Sequence, residues 1–144
     1  MADPAPANAY TPEGIISRAS AGSVADTVTH IEQALTAAEM TLFAVIDHSG
    51  EATQAGLSMQ EARLLIFGNP KGGTPLMVAA PLLALDLPLK ALVWQDAAGQ
   101  VWVSYTDPAW LARRYHIPAD LARNIAGIEP LIAAAIQMVN ASGG

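Results

Sequence analysis

Two apolar segments joined by a four-residue turn place the strongest constraint on the fold of this chain. The segments are residues 89–95 and 100–105, and they flank Asp96-Ala97-Ala98-Gly99. A glycine at the end of such a loop supplies the positive φ angle that a short hairpin turn needs. The pattern therefore predicts two neighbouring antiparallel strands, with Trp102 and Ser104 on one face and Val103 and Tyr105 on the other.

The rest of the chain alternates between strand and helix patterns. Residues 14–19, 41–46 and 63–67 are short β-branched or buried-strand segments, and residues 23–39 show an apolar stripe with helical spacing. Ser23 is the predicted N-cap of that helix, with Asp26 in its first turn. Three further cap or proline signals follow. Thr74-Pro75 predicts a helix that Pro81 ends or kinks, and Asp107-Pro108 and Pro118 begin two more.

This order of elements predicts a single α+β domain, because the hairpin forces antiparallel pairing in the sheet. The predicted domain covers residues 13–139. Residues 1–12 are rich in Ala and Pro and are predicted to be disordered or extended, and residues 140–144 are predicted to be a frayed C-terminus. A chain of 144 residues is long enough to bury a core without disulfides or metal.

Composition limits the classes of function. The hydrophobic fraction is 52% and the charged fraction 14%, which predicts self-association. Seven Lys and Arg against thirteen Asp and Glu give a net charge of −6, and the basic residues are scattered, which argues against a nucleic-acid partner. The absence of cysteine excludes disulfides, thiolate catalysis and iron–sulfur clusters.

Neither a membrane span nor a targeting segment is predicted. The uncharged stretch at residues 72–85 is shorter than the roughly 20 residues of a spanning helix and contains two prolines. Residues 1–9 have no basic region or apolar stretch of a signal peptide. A cytoplasmic location is therefore expected. The alternative is the periplasm, for a mature exported chain whose signal had been replaced by Met1.

One candidate site lies where the strand at residues 41–46 ends at Asp47-His48-Ser49, any of which is a candidate cap for a short helix ending before Gly56. Asp47 next to His48 would fix one imidazole tautomer and leave the other ring nitrogen as a metal ligand or base. Haem is a further candidate, with one axial imidazole and Met59 or Met77 as a second ligand. The alternative is a capping His48 with no ligand.

A second candidate site is the glycine-bearing loop at residues 68–74. Lys71, the Thr74 hydroxyl and backbone N–H groups ahead of a helix suit a carboxylate or phosphate oxygen. The phosphate-loop motif is not met, because Thr74 and Pro75 stand where Lys and Ser or Thr are required. The alternative is a tight turn made by Gly72 and Gly73 with Lys71 in solvent.

Three blocks together resemble a known prokaryotic family. They are Leu64-Leu65-Ile66-Phe67-Gly68-Asn69-Pro70-Lys71-x-Gly73-Thr74-Pro75-Leu76-Met77, then Asp86-Leu87-Pro88-Leu89-Lys90, then Trp94-x-Asp96. Over about residues 22–115 the chain is similar to domain of unknown function 302, whose Asp-His pair maps to Asp47 and His48. The resemblance implies a compact α+β fold of the TATA-box-binding-protein-like class, an antiparallel sheet with helices packed on one face, and commonly a homodimer. It implies no established activity.

Three functional hypotheses follow. The leading one is a small homodimeric ligand-binding or sensing module for a small anion, a metal or haem, because no catalytic set is complete. The second is an enzyme acting on a small organic acid, with His48 as acid or base and Lys71 as anion anchor. The third is a purely structural dimerisation module that uses the hairpin tryptophans. The predicted site consists of Asp47, His48, Asn69, Lys71, Gly73 and Thr74, with His48 as the candidate metal ligand.

Overall fold

A computed structural model describes residues 5–7 and 9–142. Its elements in chain order are β1 (Ile15–Ser20), α1 (Val24–Ala37), β2 (Thr41–Asp47), α2 (His48–Gln54), β3 (Ala62–Gly68), α3 (Pro70–Ala79), a 3-10 helix (Pro81–Leu85), β4 (Leu89–Gln95), β5 (Val101–Thr106), α4 (Pro108–Arg114), α5 (Ala119–Ala126) and α6 (Ile128–Ser142).

The strands form one antiparallel sheet in the order β1-β5-β4-β3-β2. The predicted hairpin is confirmed as β4 and β5, with Trp94 opposite Trp102 and Gly99 at a φ of 88°. The predicted α+β class is also confirmed. β2 and β1 are the two edge strands, and β2 carries a β-bulge at Phe43, between Leu42 and Ala44.

The core lies between one face of the sheet and the helices. Alternate strand residues point to this face, so Leu65 and Phe67 of β3 and Val103 and Tyr105 of β5 are buried while Ser104 between the latter two is only half-buried. α1 packs on β2, β3 and β4, and α6 packs on α1 and β1. The predicted apolar stripe of α1 is buried: Val24, Val28, Ile31 and Leu35. Ser23 caps this helix by accepting the N–H of Asp26 over 3.0 Å.

α6 continues through Ser142, beyond residue 140 where a frayed end is predicted, and Gly143 and Gly144 lie outside the described residues. Within residues 5–7 and 9–142, one helical stretch, Ala119–Ser142, is long and apolar enough by length and composition to cross a membrane. Ile132, Ala135 and Val139 in this stretch are buried, and α6 packs against α1. Packing against α1 thus accounts for part of its apolar composition, and about a third of the stretch is buried.

The opposite face of the sheet carries Leu64, Leu92 and Trp94, which are half-buried. Residues 9–12 lie along part of this face and border a cavity of about 390 Å³. Of the predicted disordered or extended segment, residues 1–4 and 8 lie outside the described part. Ala7 donates its N–H to Asp96 Oδ2 over 2.9 Å and is thereby attached to the β4–β5 turn.

Candidate functional site

The candidate site includes the corner where β3 ends and α3 begins. Asn69 is the N-cap of α3, and its Oδ1 accepts the N–H of Lys71 over 3.0 Å. Pro70 occupies the first helical position, where a missing N–H has no cost. The prediction that Thr74-Pro75 begins this helix is wrong by five residues. Asn69-Pro70 carries the same signal earlier, and Pro75 lies inside the helix.

The first turn of α3 has its N–H groups bonded within the chain. Lys71 N donates to the Asn69 side chain, and Gly72 N and Gly73 N donate to Asn69 O over 3.0 and 2.9 Å. An anion at a helix N-terminus needs these donors. The N–H cradle predicted for the loop at residues 68–74 is therefore not open in this structure.

A cavity of about 290 Å³ lies beside this corner instead. Its walls come from the start of β2 and the residue before it, from the end of β3, from α3, from the segment that follows the 3-10 helix and from α5. The lining side chains are largely apolar: Met40, Phe43, Pro70, Met77, Leu87, Pro88, Leu89 and Ile125, with Asn69, Thr74 and Asn124 as the polar members and Gly68, Gly72 and Gly73 as backbone. Three predicted site residues, Asn69, Gly73 and Thr74, thus line one cavity.

Asn124 joins two walls of this cavity. Its Nδ2 donates to the Gly72 carbonyl oxygen over 3.1 Å and so connects α5 to the first turn of α3. A side chain at Gly73 would have its Cβ 3.9 Å from Leu87 Cδ1 and 4.0 Å from Met77 Cε, which is ordinary contact. None of the described residues that line the cavity carries a charge, and the exposed Lys71 is not one of them.

His48 and Lys71 lie at opposite ends of the sheet. In the β2–β3 ladder Asp47 pairs with Arg63 and Thr41 pairs with Gly68. The six residue steps between these two pairs correspond to about 20 Å. The prediction that His48 and Lys71 share one pocket is wrong, because β2 and β3 are antiparallel and the end of β2 therefore lies beside the start of β3.

Asp47 acts as the N-cap of α2 and is one of the three residues predicted as candidate caps at this corner. Its Oδ1 accepts the N–H of Gly50 over 2.9 Å and the hydroxyl of Ser49 over 2.7 Å. These two bonds, the one from Gly50 first, lower the pKa of Asp47 from its usual 3.8. The carboxylate is therefore engaged in capping, and the adjacent His48 side chain is exposed.

The residues around His48 do not fit a multi-ligand metal site. Among residues 5–7 and 9–142, no group of three or more His, Asp or Glu side chains is close enough to hold a metal ion. For haem, the candidate second ligand Met77 lines the α3 cavity at the other end of the sheet, and Met59 is exposed in the loop before β3. His30 lies on α1, where its Nδ1 is 2.9 Å from Asp26 O.

A polar cluster that the sequence did not predict lies next to the cavity wall. The Tyr115 hydroxyl donates to Asp86 Oδ2, and Arg114 Nε lies 4.0 Å from the same oxygen. The guanidinium of Arg114 also stacks 5.2 Å from the ring centre of Trp110. The bond to Asp86 is the main cause of the raised pKa of Tyr115. Asp86 and Tyr115 are 29 residues apart, so no local motif signals this pair.

Comparison with known families decides the identity of this domain. The model of the family described as "Domain of unknown function DUF302" matches residues 16–138. The chain belongs to the DUF302 family. The resemblance carried by the Gly-Asn-Pro block is thereby confirmed.

A solved structure and two curated proteins resemble this DUF302 chain. The crystal structure of an uncharacterised DUF302 protein from Bacillus stearothermophilus superposes with a TM-score of 0.74 at 19% identity, covering 89% of this chain and 99% of the other, which supports the fold. Proteins named fluoride-specific ion channel FluC 1 from Brucella suis and Brucella abortus are 40% identical over 104 residues, or 72% of this chain. The match covers 41% and 38% of those proteins, so the chain spans about two fifths of their length.

Proposed function

We propose that this DUF302 domain is a small homodimeric ligand-binding or sensing module whose ligand occupies the cavity beside α3. The observation that carries the proposal is the convergence of Asn69, Gly73 and Thr74 on a cavity of about 290 Å³. Concave, mostly apolar pockets with a few polar groups are the usual form of a small-molecule site. We propose the cytoplasm as its compartment.

The lining favours an uncharged ligand. Its apolar walls would cover most of the molecule, and the amides of Asn69 and Asn124 and the hydroxyl of Thr74 would orient a polar substituent. Burying a charge without a partner is costly, and the described lining holds no opposite charge. We therefore propose a neutral, mainly apolar small molecule in place of the anion, metal or haem expected from His48 and Lys71.

The enzyme hypothesis receives less support. It requires His48 as acid or base and Lys71 as anchor on one substrate, and the β2–β3 register separates them by about 20 Å. A ligand-binding role requires only the cavity.

A pair of glycine variants tests the cavity. Neutral fragments are screened for binding by ¹H–¹⁵N NMR. We expect a bound fragment to shift the signals of Gly72, Gly73 and the Asn124 side chain. Gly73→Leu fills space beside Leu87 and Met77 and should abolish the shifts of Gly72 and of the Asn124 side chain. Gly127→Leu is the matched control, because no atom lies within 4 Å of a Cβ built there and Gly127 does not line the cavity. Fragments that bind the Gly73→Leu protein equally well would refute the proposal.

The Brucella relatives favour a second candidate function, an accessory domain of a membrane transport protein. The motivation is the 40% identity to part of proteins named fluoride-specific ion channels, with about three fifths of their length outside the match. Deleting the matched segment from the Brucella suis protein should then change the rate of fluoride efflux from liposomes, measured with a fluoride electrode. An unchanged rate would argue against this candidate.

A further inference from the structure

We propose that the free edge of β2 pairs antiparallel with β2 of a second copy, and that Phe43 links this contact to the α3 cavity. The inference rests on the proposed function for the homodimer and for the use of the cavity as a ligand site. It identifies the surface that brings two copies together and a route by which assembly changes the site.

The outer edge of β2 is open and apolar. β2 ends the strand order, and within the described chain no strand pairs with its outer side. Phe43 is 51% exposed and Val45 41% exposed, and Ile46 on the opposite face of the strand is also exposed. Monomeric proteins protect such edges with charges, prolines, β-bulges or very short strands, and of these devices β2 has the bulge at Phe43. β2 has seven residues, contains no proline and has a single charge, Asp47, at its end.

A second copy carries an edge complementary to this one. The free N–H and C=O groups of an extended strand are complementary to those of another extended strand. An antiparallel pair about a two-fold axis uses the same groups on both copies. The chain carries a net charge of −6, so copies repel over most of their surface, and the uncharged residues 41–46 offer a place for close approach.

The position of Asp47 selects the antiparallel arrangement. A parallel pair in register would place the two Asp47 carboxylates side by side, and like charges directly opposite are destabilising. An antiparallel pair centred on Ala44 places Asp47 opposite Thr41 of the second copy. The two carboxylates are then about 20 Å apart measured along the paired strands, the six residue steps from Asp47 to Thr41.

Phe43 belongs to both the edge and the cavity. It lies at the β-bulge, where the β2–β3 register shifts, and its ring is one wall of the α3 cavity. A Cβ added at Gly68 would lie 3.5 Å from Phe43 Cε2, so the ring rests against the end of β3. A strand paired on the outside of β2 would cover the exposed half of this ring. Dimerisation would then restrict the ring and close that side of the cavity.

Two lysine variants test the contact. Sedimentation velocity and native mass spectrometry should give a dimer for the wild-type chain. Val45→Lys should weaken dimerisation by at least about tenfold, because a lysine blocks edge pairing. Val78→Lys is the matched control, a valine 78% exposed on α3. If Val45→Lys lowers the melting temperature, Ile46→Lys replaces it. A monomeric wild type, or a dimer that Val45→Lys leaves intact or Val78→Lys weakens equally, would overturn the proposal.

The link to the cavity has its own measurement. Dilution of the wild-type protein through its dissociation range should shift the NMR signals of Gly68 and of the Asn124 side chain without any ligand. In Val45→Lys at high concentration, these NMR signals should lie at the positions that they have in the diluted wild-type protein. A dimer whose dilution moves neither signal would refute the link. Failure of fragments to bind would refute the proposed ligand site and leave the β2 contact standing, so the two failures are distinguishable.

Discussion

Trp102 donates its indole N–H to Asp96 Oδ2 over 2.8 Å, and the two residues are only 1% and 3% exposed. The same carboxylate accepts the N–H groups of Ala7, Ala98 and Gln100 over 2.9 to 3.0 Å. One side chain thus organises the turn of the β4–β5 hairpin, holds the Trp102 ring and attaches the N-terminal segment. Buried polar groups of this kind are costly to leave without a partner.

Asp96→Ala should lower the melting temperature by roughly 5 °C or more, because it leaves the indole and three backbone N–H groups without their acceptor. Differential scanning calorimetry measures the change. The exposed Glu13→Ala is the control and should stay within about 0.5 kcal/mol of wild type. Equal losses in the two variants would show that Asp96 has no special role.

The stability of the wild-type protein should fall in acid more steeply than that of Asp96→Asn. The N–H groups of Ala7 and Trp102 lower the pKa of Asp96 from its usual 3.8. A carboxyl with a lowered folded pKa contributes stability that is complete above the unfolded value and is lost as the pH falls through the folded value. Urea unfolding at about pH 6 and about pH 3 should therefore give a smaller difference for Asp96→Asn. Identical pH dependence would contradict the assignment.

Asn69→Ala should destabilise the protein by about 1 kcal/mol, because it removes the N-cap acceptor of Lys71 N at the start of α3. Asn69→Asp keeps a capping oxygen and should lie close to wild type. Chemical denaturation of the three proteins provides the comparison. A loss in Asn69→Asp as large as in Asn69→Ala would point to the amide N–H₂ group of Asn69 rather than to its capping oxygen.

His48→Ala should leave fragment binding at the α3 cavity unchanged and alter the free energy of unfolding by no more than about 0.5 kcal/mol, because this side chain is exposed at the far end of β2. The measurement is an NMR titration in which a fragment that binds the wild-type protein is added and the Gly73 signal is followed. A weakened affinity would restore the hypothesis that His48 acts on the same ligand as the loop at residues 68–74.

Local patterns were sufficient for most of the elements. The hairpin, the stripe of α1 and the cap of α2 depend on neighbours within a few residues, so periodicity and turn chemistry predict them. Local signals do not determine the start of α3, because Asn69-Pro70 and Thr74-Pro75 carry the same cap-and-proline signal. Only the structure shows that the Asn69 side chain makes the capping bond.

The site depended on information that a single sequence does not hold. The direction in which β2 pairs with β3 decides which end of β2 lies beside Gly68. Because the pairing is antiparallel, that end is Thr41, and His48 is therefore far from Lys71. Asn124 reaches Gly72 across 52 residues, and no spacing rule connects them. The residues of the corner at 68–74 were found because glycine and proline mark such corners locally, whereas their partners come from distant segments.

The bond between Ala7 and Asp96 gives the molecule a mechanical property. Tension applied through the N-terminal end would reach the tip of the hairpin directly, before the pairing of β1 with β5 carries any load. A chain pulled from that end would therefore be expected to yield first at the Asp96 carboxylate, and its resistance would vary with acidity.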